Sequence, residues 1–459
     1  MTDVDAPDAA GTATASTRRL PLAEARALGK RHRDRTPRSN LARRSDAARD
    51  ASGILDEQNS TRVPELLPLR RERMSESAFA FYRGTAAVMA ADLAADPHSG
   101  IVVASCGDAH VANFGFYASP QRSLVFDLND FDEAGWAPWE WDVKRLVTSI
   151  VVGGQSTSRD DDVIRTAALA ATRAYARSMA AAVARSPLDR YFEHFDVDAA
   201  IAAMDPASRR VLRSAARDAT RRTSNRAVRK LTETGPDGRL RFIERPPTMV
   251  RADPEIAATV VPMTREYETS TNVDIALLTS QYDPVDVCLR VVGVGSVGTR
   301  CYVVAFEDGD GHALILQAKE AVRSVLEQFG GIAQPRSLAT IVERGGHGAR
   351  VVALQRVLQG VSDPFLGHVQ TGERDLYVRQ FHDMKGGIDV ATIDDAPFVR
   401  YAASCGVTLA RAHSQSPRAA EVAGYIGNGR IVGESILEWS YAYAQTSRDD
   451  YAAYLDAPA

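Results

Sequence analysis

The chain has 459 residues, 45% of them hydrophobic and 25% charged, with a formal net charge of -4. That length predicts two or three lobes around sizeable cores, and the near-balanced charge gives no global pull toward nucleic acid. No apolar run nears the roughly 18 residues of a membrane helix, residues 1–17 are acidic and polar, and Cys106, Cys288, Cys301 and Cys405 form no C-x-x-C pair, so a cytoplasmic protein with reduced thiols is expected.

In chain order, residues 1–60 read as an Arg-rich N-terminal arm, with little apolar periodicity beyond a possible helix at 20–29. A first firm helix is predicted over 75–95, where Phe79, Phe81, Tyr82, Ala86, Met89 and Leu93 share one face. Two acidic signatures follow, each behind a short apolar run. They are Gly107-Asp108-Ala109-His110-Val111-Ala112-Asn113 and Asp127-Leu128-Asn129-Asp130-Phe131-Asp132. This spacing predicts carboxylates clustered at the ends of two neighbouring strands, where a divalent cation and a phosphate can be brought together. Helices are expected at 141–152 and 160–184, the second opened by three aspartates suited to a helix N-terminus. Trp136, Trp139 and Trp141 are expected to form a core beneath the acidic loop. In a further helical stretch at 209–230, Arg209, Arg213, Arg217 and Arg221 fall on one stripe. No aromatic residue interleaves with them, so a solvated face is expected there and nucleic acid is not.

Strand-like sequence begins near 286. Runs at 287–292, 299–306 and 312–318 are rich in β-branched residues, the first two flanking Gly293-Val294-Gly295-Ser296-Val297-Gly298 and the third ending on Lys319. Helices at 320–329 and 337–358, a hairpin joining 365–370 to 376–381, and helices at 396–414 and 433–455 complete the reading. A G-x-G-x-x-G is weak alone, because two unrelated nucleotide folds use it. A dinucleotide fold needs a helix after the glycines, whereas here a strand follows, so the glycines sit at the tip of a hairpin. That is the protein-kinase arrangement, in which a flexible Gly-rich turn lies over the ATP phosphates and a strand Lys pairs with them. Gly293, Gly295, Ser296, Gly298 and Lys319 are the expected nucleotide contacts. Lys319 draws notice because only Lys30, Lys144, Lys230, Lys319 and Lys385 interrupt the arginines. Glu320, Glu327 and Glu343 are candidates for the carboxylate that holds it, Glu320 the least well placed. Main chain around Gln380, Phe381 and His382 corresponds to a hinge that would meet adenine.

Phosphoryl transfer needs an acceptor for the attacking hydroxyl's proton and a cation to neutralise the transferring group. Asp108 is expected to be that base, with Asn113 and Asp130 on Mg2+ and Asp127 and Asp132 in reserve. Residues 107–113 resemble the G-D-x-H-x-x-N loop of aminoglycoside phosphotransferases and their kinase-like relatives, and 130–142 resembles the D-F-x-D-A-G segment that follows it. By that match Asp108 is implied as catalytic base, Asn113 and Asp130 as metal ligands, and Asp142 as a structural cap. Cys106 departs from the pattern, standing where those enzymes usually carry His.

The order of parts differs from an ordinary kinase. The Gly-rich loop and Lys319 come after the catalytic loop, and 396–414, with Leu409-Ala410-Arg411-Ala412-His413, resembles the helix that normally precedes it. A circular permutation accounts for this. The resemblance implies an α+β, protein-kinase-like two-lobed fold. Residues 61–239 would form a helical lobe with the catalytic and metal-binding loops, 240–385 a small β-rich nucleotide lobe, and 386–459 the helices that complete the larger lobe. Arg83-Gly84, the acidic block, Trp141-Asp142-Val143-Lys144-Arg145, 362–367 and 377–386 further resemble an uncharacterised bacterial family, domain of unknown function number 2252, from about residue 20 onward.

The function expected is an ATP- and Mg2+-dependent phosphotransferase acting on a hydroxyl acceptor, of which the sequence identifies nothing. Nucleotidyl transfer from a flipped nucleotide, a catalytically inactive nucleotide-binding regulator and a metal-dependent phosphoesterase are the alternatives. The last needs histidine ligands that the nine histidines do not supply, so His110 is read as stabilising its loop.

Overall fold

The structure, a computed structural model, describes residues 20–457 except 195–196, 198–200, 202–203, 292, 373 and 382–383. Residues 1–19 of the expected arm lie outside the described residues. The remainder of that segment is helical and docked. Helix α1 (Leu22–Arg35) lies so close to the helix Ala419–Ile426 that a Cβ on Gly29 would meet the Glu421 carbonyl oxygen at 2.0 Å. Arg33 donates to the carbonyls of Tyr425 at 3.0 Å and Gly424 at 2.6 Å, joining arginine to a helix C-terminus. The contact is made by backbone approach and arginine, which is why apolar periodicity did not reveal it.

Four short helices follow, α2 (Ala51–Ser60), α3 (Leu67–Ser75), α4 (Ala78–Arg83) and α5 (Ala86–Ala95). The single helix predicted at 75–95 is thus broken. Ser77 caps α4 through the Ala80 N–H, and the Gly84 N–H returns to the Phe81 carbonyl, so the chain turns immediately after Arg83.

Strands β1 (Val102–Ser105), β2 (Phe114–Ala118), β3 (Leu124–Leu128) and β4 (Gly135–Pro138) carry the acidic signatures. The expectation of neighbouring strands is corrected, since β1 pairs with β4 and β3 with β2. The signatures meet through their loops instead, where the Asn129 N–H donates to the Asn113 carbonyl at 3.0 Å. Behind them run α6 (Trp139–Ser156) and α7 (Asp161–Ala182). Of the three tryptophans, Trp139 is buried with Cys106 and Ala109 beneath the loop, Trp136 is half-buried beside it, and Trp141 packs in a separate cluster with Tyr82 and Leu326. The Arg-rich stretch forms two helices, α8 (Pro206–Thr220) and α9 (Ser224–Leu231), with Arg213, Arg217 and Arg221 exposed.

After a small hairpin of β5 (Thr232–Thr234) and β6 (Leu240–Phe242), a six-stranded antiparallel sheet is built from β7 (Met249–Arg251), β8 (Asp283–Arg290), β9 (Cys301–Glu307), β10 (Ala313–Ala321), β11 (Gly367–Thr371) and β12 (Arg374–Gln380) in the order β11-β12-β10-β9-β8-β7. The expected helix at 320–329 gives way to strand, because β10 stays paired with β12 through Ala321, leaving only Val325–Gln328 helical. Helix α10 (Pro254–Ser270) covers the outer face of the sheet. Helix α11 (Arg336–Leu358) breaks at Gly346, whose φ of 68° and contact with the Asp375 carboxylate leave no room for a side chain.

A two-residue strand, β13 (Gly386–Gly387), joins β2 and returns the chain to the helical assembly. Helices α12 (Asp395–Ser414), α13 (Ala419–Ile426) and α14 (Arg430–Asp456) close it. Helix α12 lies along α7, with Gly406 against the Ala171 carbonyl. Among the described residues no helix is long and apolar enough to cross a membrane.

Candidate active site

The loop after β1 is held from below. Asp142, in the first turn of α6, accepts the N–H groups of Cys106 at 2.6 Å and Gly107 at 3.0 Å. Its Oδ2 also lies 3.1 Å from His413, whose other ring nitrogen lies 2.8 Å from the Tyr175 hydroxyl. Asp142 therefore has the capping geometry that the resemblance implied, and the last turn of α12 reaches this loop from the far end of the chain. Gly107, at φ 80°, faces the Glu133 carbonyl at a distance no Cβ could occupy.

Asp108 projects into the cleft with one oxygen engaged and one open. Arg145, buried beneath it, holds Oδ1 at 2.9 Å and braces itself on the Tyr82 carbonyl and ring. Oδ2 has only His110 Nε2 at 3.7 Å. Burial pushes the His110 imidazole down to about 4, so it is neutral near pH 7. Asn113 donates its side-chain N–H groups to the carbonyls of Asp108 and Asp130, both at 3.0 Å, tying the two signatures together. Its Oδ1 accepts no hydrogen bond among the described residues, and Asp130 keeps 44% of its side chain open to the cleft. Cys106 Sγ donates to the Asp130 carbonyl at 3.4 Å, supporting the same residue from beneath.

Lys319, near the end of β10, reaches across to these loops. Its Nζ lies 3.3 Å from Asp130 and 2.5 Å from Asp132, residues 189 and 187 positions away. Burial opposes the charge of Lys319, and the two carboxylates outweigh it, holding the ammonium well above its usual range. Burial also opposes ionisation of Asp130, but Lys319, Arg379 and Lys385 hold its carboxyl below the usual range. The three glutamates offered as partners of Lys319 are corrected. Glu320 faces Arg300 and Arg374, Glu327 pairs with Arg323, and Glu343 with Arg336. The partner is Asp132, which the Tyr377 hydroxyl fixes at 2.6 Å. Asp127 leaves the reserve for a different reason. Its carboxylate is buried and accepts the N–H groups of Leu128 and Gly360, both at 2.8 Å.

The Gly-rich segment lies between the antiparallel strands β8 and β9, with Gly293 and Gly298 at φ 72° and 90°. It is not the free flap that was expected. Val63 N–H donates to the Gly298 carbonyl at 2.8 Å, Arg62 to the Val297 carbonyl, and Arg73 to the Gly293 carbonyl at 2.6 Å. Val297 is wholly buried and Val294 packs with Leu55, Met74, Phe81 and Val88. Gly295 passes close enough to the Arg83 carbonyl that a Cβ would lie 3.0 Å from it. The loop is fastened to α2, α3 and the turn after α4.

Beneath this roof a cleft of about 560 Å³ runs from Gly293 and Ser296 past Asp108, Asn113, Asp130 and Lys319 to Gln380 and Phe381. A smaller space of about 120 Å³, bounded by the Gly-rich loop, Arg62 and Glu133, joins it at Asp108 and Asp130. Arg83 lines both and its guanidinium makes no hydrogen bond or ion pair among the described residues. The expected hinge differs. Gln380 N–H donates to the Asp363 carboxylate at 2.7 Å and Phe381 N–H to the Ile315 carbonyl at 3.1 Å, so neither amide is free for a base. His382 lies outside the described residues. The residues present do fit a single Mg2+, since Asn113 Oδ1 and Asp130 supply two oxygens and the ion takes its other ligands from water and phosphate. Among the described residues no three His, Cys, Asp or Glu side chains form a metal cluster, as a two-metal phosphoesterase would require. Arg83, Arg145, Arg379 and Lys385 were missed as site residues, and Asp132, held in reserve for the cation, was missed as the partner of Lys319. The signal for Arg83 and Lys385 lay in the phrases Arg83-Gly84 and Asp383-Met384-Lys385-Gly386, and for Lys385 also in the scarcity of lysine.

The chain belongs to an uncharacterised protein family conserved in bacteria, domain of unknown function number 2252, which it matches over residues 62–457. No curated protein and no solved structure matches it.

Proposed function

We propose that this chain is an ATP- and Mg2+-dependent phosphotransferase with a circularly permuted, protein-kinase-like architecture, and that it transfers phosphate to a hydroxyl acceptor. The observation that carries the reading is Lys319. It extends from the strand after a Gly-rich hairpin into the paired acidic signatures, although 189 residues separate it from Asp130. The permutation draws support from α12, which ends on His413 against Asp142, directly behind the catalytic loop.

In this reading Asp108 Oδ2 takes the proton of the attacking hydroxyl while Arg145 fixes the other oxygen, so the carboxylate is oriented before the acceptor arrives. The oxygen forms its bond to the γ-phosphorus as the bond to the leaving diphosphate oxygen breaks. Lys319, Arg83 and the amides of the Gly-rich loop stabilise the charge on the phosphoryl oxygens. Bound Mg2+ would neutralise the phosphates from Asn113 and Asp130. Nucleotidyl transfer is the second reading, favoured by the occupied Gln380 and Phe381 amides and by the basic character of that end of the cleft.

A thermal-shift screen of nucleotides with and without Mg2+, followed by extract labelling with ATP carrying label at the γ or the α phosphate, tests both. Transfer of the γ label supports the first reading, transfer of the α label the second, and transfer of neither removes both. Asp108→Asn is expected to abolish transfer and leave nucleotide binding nearly intact. It should also lower stability by about 1–3 kcal/mol, because buried Arg145 loses a charge-assisted partner. Retained turnover in that variant would defeat the assignment.

A further inference from the structure

We propose that Arg379, Lys385 and Arg222 form a second anion subsite in the cleft, and that it takes a phosphate or phosphorylated group. The proposal deepens the phosphotransferase reading and rests on its assignment of this cleft to substrate.

The geometry starts from strand register. Lys319 lies opposite Tyr377 and Gln317 opposite Arg379, so the alternation of β10 and β12 puts these four on the face above the cleft. A base slot is normally apolar with a few placed polar groups, yet the position beside Lys319 is taken by Gln317 and Arg379. Lys385 comes just before β13, and Arg222 comes from the link between α8 and α9. The Met384 N–H donates to the Arg222 carbonyl at 3.0 Å, which fixes the two segments side by side at the cleft wall. All three cations line the same cavity.

Arg379 and Lys385 feel the Asp130 and Asp132 carboxylates, but neither forms an ion pair with them among the described residues. Arg379 gives Nε to Gln317 Oε1 at 2.9 Å and Nη1 to the Asn129 carbonyl at 3.3 Å, both neutral acceptors. The side chains of Lys385 and Arg222 make no hydrogen bond or ion pair among the described residues. Asp130, the carboxylate most strongly felt by Lys385, is already engaged by Lys319. Arg379, ahead of burial, pushes the Lys385 ammonium down to about 7 against the pull of Asp130 and Asp132, so the two cations lie close together. A bound anion would relieve the repulsion that Lys385 meets beside Arg379. A guanidinium fork beside a compact ammonium suits tetrahedral phosphate oxygens.

Calorimetry of pyrophosphate binding to the full chain, without nucleotide, tests the proposal. Lys385→Gln and Arg222→Gln are each expected to weaken binding by about tenfold. The melting temperature of ligand-free Lys385→Gln should be unchanged or higher, since the repulsion is removed; a lower one would mean that Lys385 supports the fold and would count against the subsite. Equal affinity in wild type and both variants, or no binding to wild type at millimolar pyrophosphate, would overturn it. Repeating the titration in saturating Mg-ATP separates the sources. Continued pyrophosphate binding identifies the site with a phosphorylated acceptor, and its exclusion identifies it with the nucleotide's own phosphates. Should Mg-ATP fail to bind while Lys385-dependent pyrophosphate binding persists, the phosphotransferase reading falls and the subsite stands. The converse result separates them the other way.

Discussion

Glu133 holds its carboxyl under the Gly-rich loop, accepting the Val325 N–H at 2.9 Å. Burial pushes it up to about 7 from an ordinary value of 4.5. Between those values the folded protein carries one proton more than the unfolded chain. Its contribution to stability is therefore complete below pH 4.5 and is lost as pH rises through 7. Glu133→Gln removes the titration. In metal-free buffer, the melting temperature of wild type relative to this variant should fall between about pH 5 and 8, and a difference independent of pH would contradict the assignment. Much of the site at this scale was legible in sequence. Asp108, Asn113 and Asp130 announce themselves by local spacing, as does a rare lysine at a strand's end. The grip of Asp132 on Lys319 was not, because it depends on two segments 187 residues apart meeting at one angle.

At the scale of elements, the Gly-rich hairpin was read correctly as a turn between strands and incorrectly as a free one. Its glycines and flanking β-branched residues are local signals, whereas the fastening by Arg62, Val63 and Arg73 belongs to segments far upstream. Val297→Ala removes two carbons from a wholly buried position and is expected to cost about 2 kcal/mol. Hydrogen exchange should localise that loss to residues 293–299 and the helices beneath. Uniform loss across the molecule would show that the loop is not fastened locally. The hinge was misread for a similar reason, since Asp363 captures the Gln380 amide and nothing near Gln380 in sequence foretells it. The break after Arg83 is another case, where an apolar face continuous in sequence conceals a change of direction.

At the scale of the whole molecule, the family match begins at residue 62 but the packed structure does not. Leu41 is fully buried in the largest core, and α1 covers α13. A chain started at residue 62 would expose both surfaces, and it is expected to aggregate or to melt without a cooperative transition in circular dichroism. A soluble, cooperatively folding truncation would show that these helices are accessory.

The fastened Gly-rich loop also governs traffic. Fastened by Arg62, Val63 and Arg73, it roofs the main cleft and the smaller space beneath it. If the chain is the phosphotransferase proposed, the group held beneath the loop is expected to bind before the acceptor and to leave after the transferred product. Steady-state kinetics should accordingly follow a compulsory order, with the inner product competing only against the inner substrate, and random-order inhibition patterns would mean that the loop lifts during turnover.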